Sequence, residues 1–179
     1  MTNEHILQIA RAEQVFSAAA IVPTPEIPFD SGFRVYCEEN LCGNYGANYT
    51  CPPDCGSPEE LHRRILAHAH ALVLQSKWDI PDYRDADAIR RAKTAHNAAM
   101  LRVISRLRAG GHCGQMAGAS NCLLCERCAK LEDEPCRHPE DAYCCMSAYC
   151  IHVRSLSERC GMDYACPDGH FAFFGLYAF

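Results

Sequence analysis

Apolar and polar positions alternate along this chain with two distinct periods, and these lay out its elements. From Tyr83 to Arg108 one stripe returns every three or four residues, through Ile89, Ala92, His96, Met100, Val103 and Leu107. That is the period of a helix lying on a core, and the segment ends at Gly110-Gly111, a common helix stop. Asp82, after the Pro81 turn, is its candidate N-cap. A second helix is predicted from Pro58 to about Ala69, with Leu61, Ile65 and Ala69 on one face. Ser57 suits its N-cap, Pro58 its first turn, and Glu60 closes a capping box. Ile6–Ala12 reads as a short helix, and Gln14–Val22 as a strand or a further helix, closed by the prolines of Pro23–Pro28.

Shorter patterns supply the strands. Phe33-Arg-Val-Tyr-Cys37 alternates and reads as a strand that delivers Cys37 at its end. Ala71–Gln75 is a compact apolar run suited to a buried strand. His112–Ala119 is a strand of small residues, whose glycines suggest close approach of another backbone or of a cluster. The aromatic ending, His170–Phe179, is strand-like and belongs in the sheet. Pro139, Glu140 and Asp141 suit the first turn of a helix running to about Tyr149. Cys160 and Cys166 fall near one more short helix and its loop. The expected architecture is therefore α/β: a small mixed sheet, built from segments near Phe33, Leu72, Gln115 and Phe173, flanked by helices. All 179 residues form one domain, with two cysteine-rich metal-binding loops, 37–55 and 113–136, meeting at one end.

Composition sharpens this picture at one point. Fourteen cysteines are far above background in a chain whose 49% apolar content is already enough for a core. The N-terminus has no export pattern, and a domain of this size has no need of disulfide staples. The cysteines are expected to bind metal in the reducing cytoplasm. A net charge of −5 without a basic run argues against a nucleic-acid partner, and no apolar run reaches membrane-spanning length.

The densest chemistry is Cys122-Leu-Leu-Cys125-Glu-Arg-Cys128, followed after seven residues by Cys136-Arg-His-Pro. Two-residue spacers let the backbone curl while successive thiolates point the same way. Bacterial ferredoxin runs open in this manner, with a shorter step to their last cysteine. The loop reads as an iron–sulfur site of the 4Fe-4S kind; a zinc knuckle that staples the fold is the alternative. A second constellation, Cys37, Cys42, Cys51 and Cys55, is threaded with glycines, asparagines and the Pro52-Pro53 pair, as a metal-wrapping loop requires. Its irregular spacing suits zinc and a second cluster equally. Cys144, Cys145 and Cys150 would lie on or just after the last predicted helix. Neighbouring helical residues point about 100° apart, so these three are expected outside the ligand set, as are Cys160 and Cys166. His96, on the long helix's apolar stripe, is expected to be a hydrogen-bonded core histidine.

The order Cys37…Cys42-x2-Tyr45-Gly46-x4-Cys51-Pro52-Pro53, helix, strand, long helix, Cys122-x2-Cys125-x2-Cys128, Cys136-Arg-His-Pro-Glu resembles the family of predicted metal-binding proteins. The resemblance spans roughly residues 10–179 and implies metal binding. It implies Cys37, Cys42 and Cys51 as ligands in the first loop and Cys122, Cys125, Cys128 and Cys136 in the second. It does not firmly include Cys55, and it leads to arginine, proline and glycine where this chain has Cys144, Cys145 and Cys150. Three functions follow: an electron carrier or redox accessory to a partner protein, a zinc-stabilised interaction module, or an enzyme whose cluster keeps an open iron.

Overall fold

The computed structural model describes residues 1–166 and 170–179. Its helices are α1 (Asn3–Arg11), α2 (Arg34–Glu38), α3 (Pro58–Leu66), α4 (Ala86–Ala109) and α5 (Val153–Arg159). Its strands are β1 (Ala18–Pro23), β2 (His70–Asp79), β3 (Gln115–Gly118), β4 (Cys144–Cys145) and β5 (His170–Ala178). Among the described residues these strands form one mixed sheet in the order β1-β2-β5-β3-β4. β1, β2, β5 and β3 pair antiparallel in turn, and β4 adds parallel to β3.

Side-chain alternation along the central strands sorts the core into two layers. On β2, Leu72 and Leu74 meet Ile6 and Ala10 of α1 and Met100, Val103, Ile104 and Leu107 of α4. Ala71 and Val73 face the other way, toward Leu61 and Ile65 of α3 and Leu156 of α5. The expected α/β architecture is thus present, with helices on both faces of the sheet. Ser57 caps α3 as anticipated: its hydroxyl accepts from Glu60 N–H, and the Glu60 carboxylate accepts from Ser57 N–H at 2.7 Å. Gly110 ends α4.

Four expectations need correction. Phe33–Cys37 is no strand. Asp30 accepts from Gly32 N–H at 3.0 Å and starts a 3-10 turn over Ser31–Phe33 that runs into α2. A five-residue alternation cannot by itself outweigh such a cap. Gln14–Val22 resolves to strand only from Ala18, and α4 is capped by Asp85 rather than Asp82. The helix expected over 140–149 does not form: Cys144 and Cys145 pair with Ala117 and Gly118 at the sheet edge. The open edge of β3 satisfies this backbone instead, and the helical argument that set Cys144 and Cys145 apart from the ligands falls with it.

Candidate metal centre

The two cysteine loops touch and are tied together by polar contacts. Thr50 Oγ1 accepts from Cys122 N–H at 3.3 Å, and Asn48 donates its amide to Cys122 C=O at 3.4 Å. Tyr49 donates its hydroxyl to Glu134 C=O at 2.9 Å. Lys130 lies over the Tyr49 ring and pairs with Asp54 at 2.6 Å. Within the first loop, Gly46 takes φ +68°, a left-handed conformation that glycine adopts without strain, and donates its N–H to Pro52 C=O at 2.8 Å.

A cavity of about 270 Å³ opens against this first loop. Cys37 from α2, Cys42 and Cys51 from the loop, and Cys145 from β4 all line it, with Lys93 of α4 at its wall. Cys51 is buried, Cys37 and Cys145 are half-buried, and Cys42 is exposed. Burial, with the neighbouring Cys145 sulfur next in weight, pushes the Cys37 thiol up to about 11. Burial likewise raises Cys51 and Cys145. Thiols held protonated in this way release their protons when a metal takes the sulfurs.

Cys55, the fourth cysteine of the first loop, does not line that cavity. It borders a second one of about 320 Å³, together with Cys136 and Cys144. There its thiol is lowered, first by a hydrogen bond from Cys144 and then by Arg34, whose Nη1 stands 3.9 Å from Cys55 Sγ. The same guanidinium donates to Gly56 C=O at 3.2 Å and Ala148 C=O at 3.1 Å, clamping the loop's end to the segment after β4. Cys150, in that segment, is buried at φ +55°, the left-handed region that glycine favours.

In the second loop, Cys125 and Cys136 lie close enough to Cys122 to act on its thiol. Burial raises Cys122, while backbone N–H groups of Leu124 and Tyr143 pull it down. Arg137 donates to Arg127 C=O at 3.1 Å and pairs with Glu132. Cys128 precedes the 3-10 turn Ala129–Glu132. Cys113 is exposed and Cys160 half-buried; Cys160 caps the end of α5.

Among the described residues, no three His, Cys, Asp or Glu side chains are drawn together tightly enough to hold a single metal ion. Other features around the first loop bear on metal binding. Four soft donors share one cavity. Arg34 Nε, whose guanidinium charge reaches Cys37, Cys55 and Cys150, is buried without a hydrogen-bond partner. Sequence reasoning missed Arg34 altogether, since a lone arginine in a presumed strand carries no signal. It placed Cys145 on a helix, whereas the residue is on β4 and lines the first cavity.

A model of the family described as predicted metal-binding protein (DUF2284) matches residues 20–177. No curated protein and no solved structure matches the chain.

Proposed function

We propose, because the chain belongs to the family of predicted metal-binding proteins, that it is an iron–sulfur protein that exchanges electrons with a partner protein. The supporting observation is the first cavity, where four thiols from three separate segments converge on about 270 Å³. A zinc ion draws its thiolates in at about 2.3 Å, so their sulfurs lie within about 4 Å of one another. The cavity has room for an inorganic cluster as well as for a single ion. A 4Fe-4S cluster would supply one-electron transfer there, at a potential set by charge, hydrogen bonds to sulfur and exposure.

The chain's own residues divide the work. The cavity thiols hold the group. Arg34 places positive charge near Cys37. The exposed side chains of Tyr36 and Leu41 stand at the cavity and offer a partner an apolar landing surface. The second loop contributes Cys122, Cys125, Cys128 and Cys136 to a further centre, with Cys136 close to the second cavity as well. The direct contacts between the loops keep the two centres in fixed relation, as an electron relay needs. All fourteen cysteines are free thiols, which suits a reducing cytoplasm. No helix among the described residues is long and apolar enough to cross a membrane.

Anaerobic purification with iron, zinc and acid-labile sulfide analysis tests the reading. The expected preparation is brown, loses colour on exposure to oxygen, and gives paramagnetic resonance signals on reduction. Cys125→Ala should lower its iron content. A colourless, zinc-loaded protein would replace the electron carrier with a zinc-stabilised interaction module.

A further inference from the structure

The adjacent pair Cys144-Cys145 is among the thiols that the two cysteine loops leave unexplained. Because the pair is strand and not helix, its side chains leave opposite sides of the backbone. Cys145 enters the cavity shared by Cys37, Cys42 and Cys51. Cys144 enters the other cavity, with Cys55 and Cys136. We propose that Cys145, and not Cys55, is the fourth thiolate of the first metal centre.

Three features support this. First, Cys145 is fixed by regular structure: it is in register with Gly118 of β3, and Met146 N–H donates to Gly118 C=O at 2.9 Å. A ligand on a strand is held more firmly than one on a loop. Second, Ala148 N–H donates to Cys145 Sγ at 3.3 Å. Such an N–H···S bond favours the thiolate that a metal requires and tunes the centre that forms. Third, Cys55 is engaged elsewhere, between Arg34 and Cys144, outside the cavity where the other three thiols meet. On binding, Cys145 gives up its thiol proton to solvent and its sulfur pair to the metal. Four thiolates then close the centre, leaving no open coordination position for a substrate.

The inference rests on the reading that the Cys37–Cys51 segment holds a metal centre, but not on which metal that is. The test measures metal and sulfide per folded chain for the anaerobically prepared wild type and for Cys37→Ala, Cys145→Ala, Cys145→Ser and Cys55→Ala. Circular dichroism confirms folding. The expected result is that Cys37→Ala and Cys145→Ala each lose the metal of one centre, while Cys55→Ala keeps the wild-type ratio. Cys145→Ser, which keeps the size and an oxygen donor, should retain partial loading with a shifted resonance spectrum or sulfur-to-metal charge-transfer band. It covers the case in which the alanine variant fails to fold. Loss of one zinc ion per chain in Cys145→Ala would support the ligand assignment while removing the iron–sulfur reading. Wild-type metal content in Cys145→Ala, or an unaltered spectrum in Cys145→Ser, would overturn it, as would loss of a centre in Cys55→Ala alone. Unchanged metal content in Cys37→Ala would overturn both the assignment and the centre it completes.

Discussion

His96 shows how completely a residue's surroundings set its chemistry. The ring is buried in the core, and its Nδ1 lies 2.7 Å from Ser76 Oγ, which in turn accepts from Trp78 Nε1–H at 2.7 Å. Nδ1 and Ser76 Oγ share a hydrogen bond, while Nε2 is buried without a partner. Burial holds its pKa at about 3, against about 6.5 for an unperturbed histidine. Between those values the unfolded chain binds the proton and the fold does not. Stability is therefore complete above about pH 6.5 and falls as the pH drops toward 3, by about 2 kcal/mol at pH 5. Urea denaturation at pH 7 and pH 5 should show this slope, and His96→Gln should flatten it by about one proton. An identical pH dependence in the variant would mean that other groups carry it. Glu13 illustrates a different residue-scale role. Nearly buried, it pairs with Arg102 at 2.7 Å and Arg106 at 3.8 Å, fastening the chain after α1 to α4.

Single contacts also decide whether elements form and fit. The capping box at Ser57 satisfies backbone donors at the start of α3 that would otherwise lack partners. Ser57→Ala should cost about 1 kcal/mol in chemical denaturation. A cost near zero would mean that packing of Leu61 and Ile65 alone holds the helix. On β5, Gly175 lies where α4 crosses the sheet, and a Cβ there would run into Met100 Sδ and His96 Nε2. Gly175→Ala should thus destabilise by about 1–3 kcal/mol through overpacking. Unchanged stability would show that Met100 has room to turn aside. At the edge strand β4, the element is only two residues long and its identity depends entirely on β3. No local pattern encodes it, which explains why the run before Tyr149 looked helical. Tyr143 reinforces the arrangement by lying against Gly118 and accepting Leu123 N–H at 3.2 Å, so β4 and the second cysteine loop are positioned together.

Across the whole molecule, most regular structure lies outside the two cysteine loops. The two apolar clusters span both faces of the sheet and draw mainly on helices and strands. The segments 37–55 and 122–136 carry little regular structure and are held by a few polar contacts. If these segments ligate metal, chelation should leave most far-ultraviolet dichroism intact while hydrogen exchange accelerates in both. Binding free energy enters folding directly, so the melting temperature should also fall. Complete unfolding on chelation would mean that the sheet depends on the metal, and unchanged exchange in either segment would exclude it as a ligand loop.

The sequence alone determined what local rules control: the period of α4, the cap of α3, the buried run of β2, and the clustering of cysteines in two segments. It also carried the family resemblance, because that depends on motif order. Only the tertiary structure decided which thiols face one another. Distant segments settle that question, through the pairing of β4 with β3, the reach of Arg34 from α2 to Ala148, and the opposite facing of Cys144 and Cys145. Spacing along a chain constrains neighbours within a loop. A thiol brought from a strand about a hundred residues away is placed by long-range backbone pairing, which no short sequence window records.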